Sequence, residues 1–237
     1  MNQRLKTPNK TLQPTARNAV NFCYDLAFYY CFVSCTAIMA AAELNVHRDK
    51  NMKIACLAWG SLVWEPKDLL IRQPWFNDGP LLPIEFCRQS LDGRITLVIT
   101  PEKPPVRTLW ALSSVKLLNE AIESLRSREN IPTKNKDIHV GRWANGTTPK
   151  NDIEKEISDW AKEKRLDAVV WTALPPKFNG TNNVIPSIDD LITYFKSLAF
   201  EKRRNTEMYI RKAPIQIDTD YRRYFQTEFG WNPQNEY

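Results

Sequence analysis

From Ile54 to Trp59 the chain is an unbroken apolar run, and Gly60-Ser61 ends it, a pattern that predicts a buried strand. Two further strand-like runs, 82–89 and 94–100, flank Ser90-Leu91-Asp92-Gly93, and the Asp-Gly pair predicts that they form an antiparallel hairpin. A short strand over 108–112 leads to Ser113-Ser114, which is expected to cap a helix carrying Val115, Leu118, Ile122 and Leu125 at helical spacing. Glu129 should fall at or just beyond the last turn of that helix. A second helix over 152–164 aligns Ile153, Ile157, Trp160 and Ala161 on one face, and a strand over 168–174 follows, closed by Pro175-Pro176. Ser187 and Asp190 have the spacing of a helix-start cap ahead of the stripe Ile188, Leu191, Ile192, Phe195 and Leu198, and a last helix is expected over 219–229. Antiparallel strands first, helices mostly later and one returning strand predict an α+β domain. Its sheet should be mixed and strongly curled, or a small barrel, with flanking helices.

Residues 1–51 follow none of these patterns, so the chain divides into an N-terminal extension and a single domain over 52–237. Within the extension, Leu26 to Ala42 is apolar and uncharged, preceded by basic residues and followed by small ones, as in an export signal or membrane anchor. The run sits at the short limit for spanning a bilayer, and the basic region before it is long and carries prolines. The second reading is that the extension is dispensable and that Met52, immediately before the first strand, is the true start.

The net charge of +6 raises nucleic acid or anionic lipid as partners. Its distribution argues against them, because residues 1–51 hold six basic and three acidic side chains, half of the excess. The runs Lys162-Glu163-Lys164-Arg165 and Glu201-Lys202-Arg203-Arg204 are expected at helix ends, where cations complement the helix dipole. Five cysteines (positions 23, 31, 35, 56 and 87) include no C-x-x-C pair, so a disulfide framework is not expected. Cys56 and Cys87 fall in strand-like runs and read as small buried hydrophobes in a reducing, cytoplasmic setting, with export as the alternative if the apolar segment is a signal.

The chain has no phosphate-binding glycine loop, no dinucleotide fingerprint, no H-E-x-x-H and no G-x-S-x-G. Its two histidines, His47 and His139, are far apart without clustered ligands, so no built-in metal or cofactor is expected. What stands out is Leu57-Ala58-Trp59-Gly60-Ser61-Leu62, where a strand empties into a turn able to aim backbone amides at an anion. Paired with it is Leu125-Arg126-Ser127-Arg128-Glu129-Asn130, which sets a carboxylate at a helix terminus. Glu85, between Ile84 and Phe86 in a strand, faces opposite to both; it either points into a pocket, where it would position a substrate amine, or lies on the sheet surface. Arg88 and Arg94 flank the hairpin, where they are either solvated or bind a substrate carboxylate.

The turn and the carboxylate together resemble the gamma-glutamylcyclotransferase family. The Gly-Ser-Leu form, Trp64, Phe86-Cys87 with Ser90, and Leu97-Val98 are most similar to its bacterial glutathione-specific branch. This resemblance covers residues 54 to 130; beyond them only the strand near residue 170 matches, loosely. It implies a cofactor-free reaction on a gamma-glutamyl peptide or amine, in which the substrate's own alpha-amine attacks the gamma-carbonyl and 5-oxoproline is released. By the same resemblance Trp59, Gly60, Ser61 and Leu62 hold the substrate and Glu129 is the acid and base. Three departures stand against it: Trp59 where tyrosine is usual, Leu62 where many members have asparagine, and Asn130-Ile131-Pro132 in place of a glycine and an aromatic. The rival expectation is a binding module on the same scaffold, without catalysis, serving a protein or nucleic-acid partner.

Overall fold

The structure is a computed structural model, and it describes residues 51–234. The extension expected over 1–51, with its apolar segment and three of the cysteines, lies almost wholly outside the described residues. Among the described residues, eleven strands and six α-helices make a mixed α+β architecture. Five strands form one sheet: β1 (Ile54–Ala58) at its centre, β7 (Leu109–Ser113) and β2 (Ile71–Phe76) on one side, β9 (Ala168–Thr172) and β8 (Val140–Ala144) on the other. All of its neighbours are antiparallel except β1 and β9, which run in the same direction with Ile54 opposite Ala168. Every residue of β1 is buried, as a continuous apolar run covered on both faces requires.

A second sheet carries the expected hairpin, β4 (Ile84–Gln89) with β5 (Ile95–Ile99), extended by the short strands β10 (Lys177–Phe178) and β11 (Thr181–Asn182). Its turn closes as Asp-Gly implies: Gly93 takes φ +89°, and Ser90 and Arg94 share a backbone hydrogen bond of 2.8 Å. A third pair, β3 (Leu81–Leu82) with β6 (Val106–Arg107), stands apart, so hydrogen bonding divides the described strands into three sheets.

The helices are α1 (Leu118–Arg128), α2 (Lys136–His139), α3 (Asp152–Glu163), α4 (Ile188–Ser197), α5 (Phe200–Lys212) and α6 (Asp220–Phe229). The cap expected before α4 is present, with Ser187 and Asp190 bonding reciprocally. The cap expected before α1 is absent. That helix begins after Leu117 with no side-chain cap, because Ser113 Oγ instead donates to Leu70 O at 3.2 Å and accepts from Val115 N–H at 3.3 Å. The run Glu201–Arg204 also needs correction: it lies in the first half of α5, toward the end where cations oppose the helix dipole. Cys56 and Cys87 are buried with free thiols, as small core residues.

Candidate active site

Parallel pairing sends the C-terminal ends of β1 and β9 to the same edge of the central sheet. There β1 runs into the Trp59–Leu62 turn and β9 into Thr172–Leu174, while Arg88, Thr96, Leu97 and Val98 of the β4–β5 hairpin supply the facing wall. Between them lies a cleft of about 610 Å³. A roomier but open hollow of about 780 Å³ follows the outer face of α1; its walls are mostly exposed side chains of that helix and of Lys67, Asp68 and Leu70. The chemistry-bearing residues gather in the former.

The turn is one helical loop: Val63 N–H donates to Gly60 O at 3.0 Å and Glu65 N–H to Ser61 O at 2.8 Å. The first amides of such a loop have no acceptor inside it. Among the described residues, the N–H groups of Gly60 and Leu62 make no hydrogen bond, whereas Ser61 N–H faces the hydroxyl oxygen of Tyr209. Trp59 fixes the start of the turn by donating its indole N–H to Leu97 O at 3.3 Å, across to the second sheet. The Leu62 side chain packs in the core, so this residue meets a ligand mainly through its backbone.

Glu129 is the C-cap of α1. The residues that depart from the family pattern finish the helix: Asn130 adopts φ +53°, its N–H bonds to Ser127 O at 3.1 Å, and Ile131 N–H bonds to Arg126 O at 3.0 Å. This is a Schellman ending, with asparagine in the left-handed position, Ile131 buried as its apolar seal and Pro132 preventing further helix. The departure therefore has a local structural reason and still delivers Glu129 to the cleft.

Arg128 joins the two halves of the site. Its Nε and Nη2 donate to Glu65 O at 3.0 and 2.7 Å, Nη2 also donates to Ser61 Oγ at 3.2 Å, and Nη1 stands 3.5 Å from Glu129 Oε1. The Arg128 side chain is 7% exposed and that of Glu129 18%, so the carboxylate is reachable yet poorly hydrated. Burial pushes the Glu129 carboxyl above its usual range, and the cations of Arg128 and Lys67 only partly oppose this.

Glu85 is placed differently from either expectation. It neither lines the cleft nor lies on the sheet surface; it is 1% exposed. Its Oε1 accepts from Thr219 Oγ1 at 2.5 Å and from Phe86 N–H at 2.8 Å, and its Oε2 from Tyr221 N–H at 3.2 Å. The carboxylate closes the N-terminus of α6, so a role in binding substrate is withdrawn. Arg88 and Arg94 do line the cleft. Arg88 donates to Pro175 O at 2.6 Å, and Arg94 pairs with Asp92 at 2.7 Å. His139 ends α2 at the cleft, and among the described residues its Nδ1 has no hydrogen-bond partner.

Sequence reasoning missed Arg128 and Tyr209. The first was visible only as a neighbour of Glu129, and the second lies on α5, whose weakly apolar pattern buries just Thr206, Tyr209 and Ile210. Among the described residues, no three His, Cys, Asp or Glu side chains gather to hold a metal ion, and no helix is long and apolar enough to cross a membrane. No family model, curated protein or solved structure matches the chain.

Proposed function

We propose that the chain is a cofactor-free cyclotransferase that cleaves a gamma-glutamyl peptide or amine and releases 5-oxoproline. The observation that carries this reading is the Arg128 guanidinium, which touches Ser61 Oγ at 3.2 Å and stands 3.5 Å from Glu129 Oε1. Turn and carboxylate are thus within one small ligand of each other, in a cleft.

The chemistry needs little more. The alpha-amine attacks the gamma-carbonyl carbon, the bond to the departing amine breaks, and a five-membered lactam is left. Holding the substrate folded for that attack supplies about 7–11 kcal/mol. Glu129 takes a proton from the alpha-ammonium and passes it to the departing amine, for which a carboxyl raised by burial is suited; such proton transfer contributes about 100- to 10,000-fold. The free amides of Gly60 and Leu62 receive the alpha-carboxylate or the developing oxyanion. Arg88 and Lys177, paired across β4 and β10 on the far wall, favour a leaving group that carries an anion. A curled, barrel-like packing of the sheets and a reducing, cytoplasmic setting for the two free thiols belong to the same proposal.

The test is to incubate the full chain and its Glu129→Gln variant with a panel of gamma-glutamyl peptides and amines and assay 5-oxoproline. Release by the parent chain, lost in the variant, is the expected result. Silence across the panel overturns the proposed reaction, and unchanged turnover by the variant overturns the role of Glu129.

A further inference from the structure

Tyr209 enters the cleft from α5, outside the segment that resembles the cyclotransferases. Its ring is held by Trp64, edge-on with centroids 5.3 Å apart, by Phe86 at 6.5 Å, and by the Arg94 guanidinium 5.7 Å from its centre. Its oxygen accepts Leu97 N–H at 3.4 Å and is faced by Ser61 N–H. A phenol oxygen engaged by two N–H donors must turn its own proton away from both. Among the described residues that proton meets no acceptor, although the side chain is buried. Where it can go is the cleft, beside the turn. Gly60 makes this approach possible, since a Cβ there would overlap the Tyr209 hydroxyl.

We propose that the Tyr209 hydroxyl is a further catalytic group, donating a hydrogen bond to the gamma-carbonyl oxygen of the substrate as ring closure makes it an alkoxide. The proposal rests on the cyclotransferase reading. In the step, the alpha-amine nitrogen forms its bond to the gamma-carbon and the carbonyl π pair moves onto oxygen, where the Tyr209 O–H and a turn amide receive it. When the carbon–nitrogen bond to the departing amine breaks, that pair returns to form the lactam carbonyl. The departing nitrogen leaves with the bonding pair, and Glu129 carries two protons to it in turn, one from the alpha-ammonium before attack and one from the ring nitrogen after it, so that the amine departs as an ammonium and the carboxylate is regenerated. Tyr209 keeps its own proton throughout. Burial pushes its hydroxyl up to about 12, and the nearby Glu129 carboxylate acts in the same direction, so it remains a donor at neutral pH. The two residues divide the work between them: one moves a proton and the other steadies charge.

The experiment compares the full chain with Tyr209→Phe, Gly60→Ala and Glu129→Gln, measuring kcat and KM for 5-oxoproline release, thermal melting, and binding of 5-oxoproline by calorimetry. Tyr209→Phe should lower kcat about 100-fold, the loss typical of one oxyanion donor, with KM near that of the parent. Binding of 5-oxoproline, whose lactam oxygen carries no developing charge, should change as little as KM. Gly60→Ala, which keeps the hydroxyl but displaces it, should lower kcat in the same manner, and it decides the matter if Tyr209→Phe does not fold. Undiminished kcat in a folded Tyr209→Phe protein, or in Gly60→Ala where the phenylalanine variant fails to fold, overturns the tyrosine's role while Glu129→Gln still tests the reaction. Absence of 5-oxoproline from the parent chain overturns both.

Discussion

A buried and a half-buried carboxylate at two helix ends show what separates a structural group from a chemical one. Glu85 stands at the N-terminus of α6 and Glu129 at the C-terminus of α1, and burial raises both above the ordinary carboxyl range. The direction of that shift therefore does not distinguish them. Hydrogen bonding does: Glu85 accepts from Thr219, Phe86 and Tyr221, while among the described residues the hydrogen-bond donor to the Glu129 carboxylate is the Arg128 guanidinium, at 3.5 Å. One carboxylate has spent its acceptors on closing a helix whose dipole welcomes it. The other sits where the dipole disfavours negative charge and keeps its oxygens open to the cleft.

The sharpest way to break this contrast is Glu129→Gln, expected to lower kcat for 5-oxoproline release by about 100- to 10,000-fold with little change in folding, as read from turnover alongside thermal melting. Glu85→Ala should do the reverse. It leaves the donors of Thr219, Phe86 and Tyr221 without their buried acceptor, at a cost on the order of 3 kcal/mol in denaturant unfolding, while turnover per folded molecule stays level. Equal loss of turnover in both variants would erase the distinction. Thr219→Ala removes the side chain that both caps α6, accepting from Arg222 N–H at 3.2 Å, and bonds to Glu85; about 1 kcal/mol of stability should go with it, and no activity.

The smallest effect is in pH dependence. A carboxyl raised in the folded state contributes stability that is fully present below its unfolded pKa, about 4.3 for glutamate, and is lost as pH rises through the higher folded value. Unfolding measured across that window should show the parent chain losing stability relative to Glu129→Gln as pH increases. A gap that closes with rising pH would mean that the Glu129 carboxylate is held charged instead.

Where side chains alternate or run together strongly, the elements were legible. The apolar run of β1, the Asp-Gly hairpin, the helix over 152–163 and the Ser187 cap all follow from local chemistry. The missed elements have weaker patterns. β2 is an edge strand, mostly exposed and interrupted by Pro74; β8 contains Gly141 and Arg142; α5 buries three residues of thirteen. Of the candidate site, Trp59, Gly60, Ser61, Leu62 and Glu129 line one cleft. Glu85 does not, because alternation along a strand tells which side a residue faces but not what covers that side.

Sequence by itself determined the buried strand, the Gly-Ser turn after it and the arrival of a carboxylate at a helix end, since each depends on residues within a few positions of one another. Only the tertiary structure decided which carboxylate is free. It brought Thr219 and Tyr221 onto Glu85 across more than a hundred residues, set Arg128 between Ser61 and Glu129, and laid Tyr209 against Gly60. Long-range contacts saturate or spare a polar group, and no local pattern encodes that choice.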